Sequence, residues 1–221
     1  MRRVLVLRPE PGAAATVELA RACGLEAIAV PLFKVEPVAW ETPDAATFDA
    51  LLLTSANALR CGGPGLKALR GLPVHAVGEA SAGAARSAGF DIASAGEAGV
   101  ERLLGSIDPD LKLLHLCGED RRSAEGMRQA ITPVTVYRSR AIDAPDLAGA
   151  PGTVALVHSS RAGARLAALI GERGSIMVAA ISAAAAAVVG GGWAAVETAE
   201  RPSDDALLAL AARLCNKPAP Q

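Results

Sequence analysis

Aromatic side chains make up only 3% of the 221 residues, although 51% of the sequence is apolar. The apolar filling is Ala, Leu and Val, which suits parallel sheets under alanine-rich helices and speaks against a sandwich or barrel. Neither sign of charge predominates: 22 Lys and Arg face 23 Asp and Glu, for a net charge of −1. Such a balance leaves no global electrostatic footprint for nucleic acid. The four cysteines (Cys23, Cys61, Cys117 and Cys215) stand far apart, with no CxxC pair and no Cys/His spacing suited to zinc. They read as small buried hydrophobes, and neither a metal nor a cofactor is expected. Long apolar runs are missing too. The stretch 4–7 is too short for a signal-peptide core, and 179–189 is interrupted by Ser182 and followed by Gly190-Gly191-Gly192. Neither could cross a bilayer, so the expectation is a cytoplasmic protein with no membrane partner. There is no GxxxxGK[ST] phosphate loop and no GxSxG elbow, and Arg8-Pro9-Glu10-Pro11-Gly12 stands where a dinucleotide fold would place GxGxxG.

What the sequence does contain is a rhythm of short β-rich runs, each followed by an alanine-rich helical stretch. Strands are expected at 4–7, 27–30, 50–53, 74–77, 91–93, 111–116, 133–137, 153–157, 176–181 and 194–198. Helices are expected at 13–22, 56–69 (interrupted by Gly62-Gly63-Pro64-Gly65), 80–88, 99–106, near 123–130, and at 162–170, 183–189 and 204–214. Proline-bearing connectors fall around Pro37 and Pro43, and around Pro145 and Pro151.

The rhythm also repeats. Leu53-Thr54-Ser55-Ala56 resembles Val157-His158-Ser159-Ser160, and Ala76-Val77-Gly78 resembles Ala180-Ile181-Ser182, both at an offset of 104 residues. The remaining strands match in a different order: the start of the chain corresponds in rhythm to the segment from Leu113 to Tyr137. If both copies are complete sheets, the two ends of the chain form one domain and the middle is inserted into it. The domain limits that follow are 1–35 plus 142–221 for the discontinuous domain and 42–137 for the inserted one. Residues 36–41 and 138–141 are the linkers, whose paired crossing would make a hinge.

In open parallel sheets, ligands bind where strands end and helices begin, because unpaired N–H groups and the positive end of the helix dipole favour anions there. The residues at those places are small or hydroxylic: Thr54, Ser55 and Asn57; Gly78 and Ser81; Gly118; Ser159 and Ser160; Ser182. Each can equally be an N-cap, worth about 1 kcal/mol to its helix. Arginines gather at the same edge (Arg8, Arg121, Arg122, Arg138, Arg140 and Arg161), as a polyanionic ligand would require. The histidines His75, His115 and His158 also sit near strand ends, and core or edge positions suit them better than a metal triad. Tyr137, the single tyrosine, stands where the second domain meets its linker. It is either a proton donor or a structural hydroxyl.

Taken together and in order, these landmarks resemble the uroporphyrinogen-III synthase family along nearly the whole chain. They are Val6-Leu7-Arg8-Pro9, Pro31-Leu32-Phe33, Phe48 through Ala58, Ala76-Val77-Gly78 with Ser81, Leu116-Cys117-Gly118, and Val136-Tyr137-Arg138. One turn departs from the pattern: Ala185 stands where the family carries a hydroxyl, with Ser182 nearby. The resemblance implies an α/β fold of two flavodoxin-like or Rossmann-like parallel-sheet domains, one inserted in the other and joined by two antiparallel linker strands. It also implies a reaction. Hydroxymethylbilane, a linear tetrapyrrole with acetate and propionate arms, loses its terminal hydroxyl and closes to uroporphyrinogen III with ring D inverted through a spiro intermediate. Unassisted closure gives the symmetric type I isomer, so the protein must mainly hold a geometry. Tyr137 is the implied proton donor. Arg8, Thr54, Ser55, Asn57, Gly78, Ser81, Gly118, Arg138, Ser159, Ser160 and Ser182 are the implied substrate contacts of a monomer. The alternatives are a two-lobed small-ligand sensor without catalysis, or a dinucleotide or nucleotide-sugar enzyme of related fold, the latter disfavoured by the missing phosphate loops.

Overall fold

The structure is a computed structural model that describes residues 2–96, 99–120 and 128–217. In chain order the elements are β1 (Val4–Val6), α1 (Gly12–Ala22), β2 (Ala27–Ala29), β3 (Phe33–Pro37), β4 (Ala50–Leu53), α2 (Asn57–Cys61), β5 (Val74–Val77), α3 (Glu79–Ser87), β6 (Ile92–Gly96), α4 (Val100–Gly105), β7 (Lys112–Gly118), β8 (Ala130–Ala141), β9 (Val154–Val157), α5 (Ser160–Leu169), β10 (Met177–Ala180), α6 (Ala183–Ala187), β11 (Ala195–Thr198) and α7 (Asp204–Cys215). Two short 3-10 helices, Ala45–Thr47 and Gly63–Leu69, complete the set. The chain divides into two compact units, Met1–Lys34 with Ala141–Gln221, and Val35–Arg140.

The first unit carries a five-stranded sheet in the order β11-β10-β9-β1-β2, parallel throughout. Its three central strands, β10, β9 and β1, are buried on both faces, as parallel sheets covered by helices require, while the edge strands β11 and β2 are partly exposed. Val4, Val6 and Leu156 pack with Val17, Ala20, Leu207 and Leu214 under α1 and α7, while Leu5, Leu7 and Val157 pack with Ala162, Leu166, Ala185 and Val189 under α5 and α6. Alternate strand residues thus feed two separate cores. Helix α1 stops at Gly24, whose φ of 75° is left-handed. There the N–H of Leu25 donates to Ala20 and that of Gly24 to Arg21, a Schellman closure.

The second unit carries a six-stranded sheet in the order β3-β8-β7-β4-β5-β6, and its strands from β8 to β6 are parallel. Leu51, Leu53, Val74, Ala76, Leu114 and Leu116 form one face with Ala82 and Ala85 of α3; Ala50, Leu52 and Leu113 meet Leu103 and Leu104 of α4 on the other. Edge strand β3 runs antiparallel to β8. The N–H of Val38 donates to Val136 and that of Ile142 to Leu32, so one strand ascends in number as the other descends.

The internal repeat is visible strand by strand. β9 lies 104 residues after β4, and each is the central strand between its β10 or β5 neighbour on one side and β1 or β7 on the other. Read from the equivalent end, the five strands of the first sheet match five of the six in the second, with the chain entering at a different point. Three sequence expectations are corrected. The start of the connector expected at 34–47 is the edge strand β3, one of the two antiparallel linker strands that the family resemblance implied; with a single neighbour it tolerates Pro37 and exposed polar positions. The expected helix 56–69 is a single α-turn pair followed by a 3-10 segment, since Pro64 and its flanking glycines deny the longer α-helix. β8 runs well past the expected 133–137. The helix expected near 123–130, with Arg121 and Arg122, falls mostly outside the described residues.

Candidate functional site

Among the described residues, the hydroxyl, glycine and arginine positions singled out in the sequence stand at or just beyond the carboxyl ends of strands in both units; Arg121 and Arg122 lie outside the described residues. In the second unit, Thr54 leaves β4 with its Oγ1 3.0 Å from His115 Nε2, a hydrogen bond whose direction depends on the ring tautomer. His115 is buried in β7. Ser55 Oγ accepts the N–H of Asn57 at 3.2 Å, and Asn57 Oδ1 accepts Arg60 Nη1 at 3.1 Å. Gly78 opens α3 with a φ of 79° that an L side chain rarely adopts, and its carbonyl accepts the N–H groups of Ser81 and Ala82. Ser81 itself is buried in the first turn of α3.

Gly118 ends β7 beside Tyr137 of β8. The phenol ring lies across Gly118: a Cβ there would stand 2.7 Å from the ring's Cε2 and Cζ and 3.0 Å from its hydroxyl. Next along β8, Arg138 Nε lies 3.4 Å from Glu36 Oε2, with Arg140 Nε 3.9 Å from the same oxygen. One carboxylate on β3 is thus shared by two guanidiniums. His75, on β5, places Nδ1 2.7 Å from Ser94 Oγ, and burial holds its pKa below the ordinary imidazole value.

In the first unit, Arg8 leaves β1 and folds over the start of α1. Its Nη1 donates to Asp204 Oδ2 at 2.9 Å and Oδ1 at 3.2 Å, and lies 3.4 Å from Thr16 Oγ1. The absence of a side chain at Gly12 makes this path possible, since a Cβ there would meet Arg8 Nε at 2.7 Å. His158, after β9, has a side chain only 8% exposed, and its Nε2 lies 3.4 Å from Asp204 Oδ1. That is a close approach rather than a well-formed hydrogen bond, for neither ring nitrogen finds such a partner. The neighbouring His158 ring holds Asp204's carboxyl below its ordinary range, Arg8 adds to this, and burial works against both.

Two serines at strand ends, and Ser203 in the loop before α7, cap helices. Ser159 Oγ accepts the N–H of Ala162, Ser182 that of Ala185, and Ser203 that of Ala206. Ser160 is the first residue of α5, and the Arg161 guanidinium stacks 4.4 Å from the centre of the Phe33 ring. Beyond the end of β11, a depression of about 380 Å³ is lined by both charges, including Glu200, Arg201, Asp205 and Arg213. Among the described residues no group of three His, Cys, Asp or Glu side chains could hold a metal ion. Nor is any helix among them long and apolar enough to cross a membrane.

Sequence reasoning missed the partners: Asp204 for Arg8, His115 for Thr54 and Glu36 for Arg138. Only the register of the sheets brings these pairs together, and the sole sequence hint was the acidic first turn of α7 after Ser203.

The chain as a whole is similar to known proteins. The family described as uroporphyrinogen-III synthase HemD matches residues 14–209. Among solved structures, the chain is similar to a uroporphyrinogen-III synthetase from Helicobacter pylori, with a TM-score of 0.67 at 17% identity, covering 97% of this chain and 100% of the other. It is also similar to a mutant uroporphyrinogen III synthase from the extremely thermophilic bacterium Thermus thermophilus, with a TM-score of 0.55 at 16% identity over 97% and 100% of the two chains. At these identities the likeness to the two structures speaks for the fold. No curated protein matches the chain significantly.

Proposed function

The chain belongs to the uroporphyrinogen-III synthase family, and from that premise we propose how its strand tips carry the reaction. The enzyme is a cyclising lyase that converts hydroxymethylbilane to uroporphyrinogen III with loss of water and inversion of ring D. The family match over residues 14–209 is the observation that carries this function.

Because the bilane closes unaided to the wrong isomer, most of the work is positional. The substrate's carboxylate arms call for fixed donors, and the amino ends of α3 and α5 offer backbone N–H groups with the favourable end of a helix dipole. The caps do not remove Ser159 and Ser182 from this role. A hydroxyl that accepts a backbone N–H still has its own proton to donate, and a substrate carboxylate can take it. Thr54, Ser55, Asn57, Ser81 and Ser160 supply further polar groups at the same edges. Arg8 and Arg138 are each held by one carboxylate, Asp204 and Glu36. A guanidinium has five N–H donors, so each retains donors for an acetate or propionate and is already aimed.

The bond-breaking step needs a proton. As the pyrrole nitrogen's electrons push out the terminal hydroxyl, Tyr137 gives its phenolic proton to the departing oxygen, which leaves as water. The pyrrole N–H proton passes to water to form the azafulvene, and a proton returns to that nitrogen when the attacking pyrrole carbon bonds to the methylene. The phenolate regains a proton when the closing macrocycle sheds one from carbon. The ring's place at the carboxyl end of β8, across Gly118, supports this assignment.

The same reading takes the domains as 1–35 with 142–221 and 42–137, and the enzyme as a cytoplasmic monomer that binds the linear tetrapyrrole and no nucleic acid. Its balanced charge supports the last point. The test is direct. The enzyme is supplied with hydroxymethylbilane, and the oxidised products are separated by chromatography. Type III in excess of the uncatalysed type I background is expected; type I alone would overturn the function.

A further inference from the structure

We propose that Gly118 is a positioning residue for the reaction, and that the space left by its missing side chain sets where the Tyr137 phenol points. This rests on the reading of Tyr137 as proton donor and extends it to a residue that acts through it, rather than through the substrate contact expected of Gly118.

The argument begins with the ladder between β7 and β8. Its register shifts between Cys117 and Gly118: Cys117 faces Thr135, but Gly118 faces Tyr137. β8 therefore holds one extra residue, a bulge, and bulges re-aim side chains. The packing agrees. Val134 and Val136 alternate onto one core as strand residues should, yet Tyr137, the very next residue, lies partly against that same core. Without the extra residue the ring would point to the opposite face. The turned ring needs room, and Gly118 is where the room is. A Cβ there would sit 2.7 Å from Cε2 and Cζ and 3.0 Å from the hydroxyl oxygen, well inside the roughly 3.5–4.0 Å at which carbon atoms pack. Backbone conformation does not explain the glycine, since Gly118 is not among the glycines with positive φ. The peptide of Tyr137 is also fixed, because its carbonyl accepts the N–H of Glu119 at 2.9 Å. An added methyl group would therefore displace the ring rather than the strand.

A double-mutant cycle tests this, using kcat and KM of wild type, Gly118→Ala, Tyr137→Phe and the double variant. Gly118→Ala is expected to lower kcat by a similar factor to Tyr137→Phe, within about 10- to 1000-fold, with little change in KM. In the Tyr137→Phe background the same alanine should change kcat less than about 2-fold, because residues acting as a unit are not additive. As Tyr137 is the only tyrosine, a protein labelled in its tyrosine ring gives one ring environment by NMR, and Gly118→Ala should shift it. If Gly118→Ala does not fold, Tyr137→Ala should restore folding to it by removing the ring; failure of that rescue overturns the proposal. Equal losses from Gly118→Ala in both backgrounds, or an unmoved tyrosine signal, would also overturn it. Tyr137→Phe turning over at the wild-type rate would instead overturn the proton-donor reading beneath it, a result distinguishable from the other two.

Discussion

Asp204 ties two strand ends together through its carboxylate, with Arg8 from β1 on one side and His158 from β9 on the other. Its pKa is lowered in the folded protein, first by His158 and then by Arg8. The unfolded chain therefore binds the proton more readily, and linkage fixes the sign. The stabilisation is complete above the unfolded carboxylate value of about 3.9 and disappears as pH falls through the lower folded value. With a third of each of the Arg8 and Asp204 side chains exposed, solvent screening limits the pair to about 1 kcal/mol. Urea unfolding of Asp204→Asn beside wild type should show a gap of that size at neutral pH, closing as the pH drops below about 4. A gap independent of pH would mean that the carboxylate's charge is not what matters. Partnerships of this kind were the least legible part of the sequence. Arg8 could be flagged as a strand-end cation, but its partner lies 196 residues away, and only the pairing of β1 with β9 brings α7 beside it. Thr54 with His115, and Arg138 with Glu36, were hidden for the same reason.

At the scale of the element, the turns after the strands would serve two ends at once under the proposed function. Ser159 and Ser182 spend one lone pair each on a helix N–H, and each hydroxyl keeps a proton that the proposed reading gives to the substrate. Ser159→Ala should cost about 1 kcal/mol in urea unfolding and also raise KM, while Ser159→Thr should retain most of both. Loss of stability with KM unchanged would make Ser159 a cap and nothing more. The elements themselves were largely readable because buried parallel strands are short apolar runs and their helices are alanine-rich. Readability failed where that physics does not hold. β3 is an edge strand of mixed polarity, and the segment around Gly62–Gly65 has apolar periodicity that its backbone cannot use for a full α-helix.

Across the whole molecule, the feature that sequence carried best was the permuted repeat. The 104-residue offset survives as matching central strands, β4 and β9, and the order of the remaining strands explains why no simple tandem alignment appears. Each sheet thereby presents an equivalent row of strand ends. Under the proposed function the labour divides: polar groups at strand ends hold the tetrapyrrole so that ring D inverts, and Tyr137 supplies a proton without choosing the isomer. The type III to type I ratio made by Tyr137→Phe, at enzyme concentrations that outrun spontaneous closure, separates the two roles. Slow turnover, reduced about 10- to 1000-fold, with the enzyme-made product still type III is the predicted result. Enzyme-dependent formation of type I would contradict it.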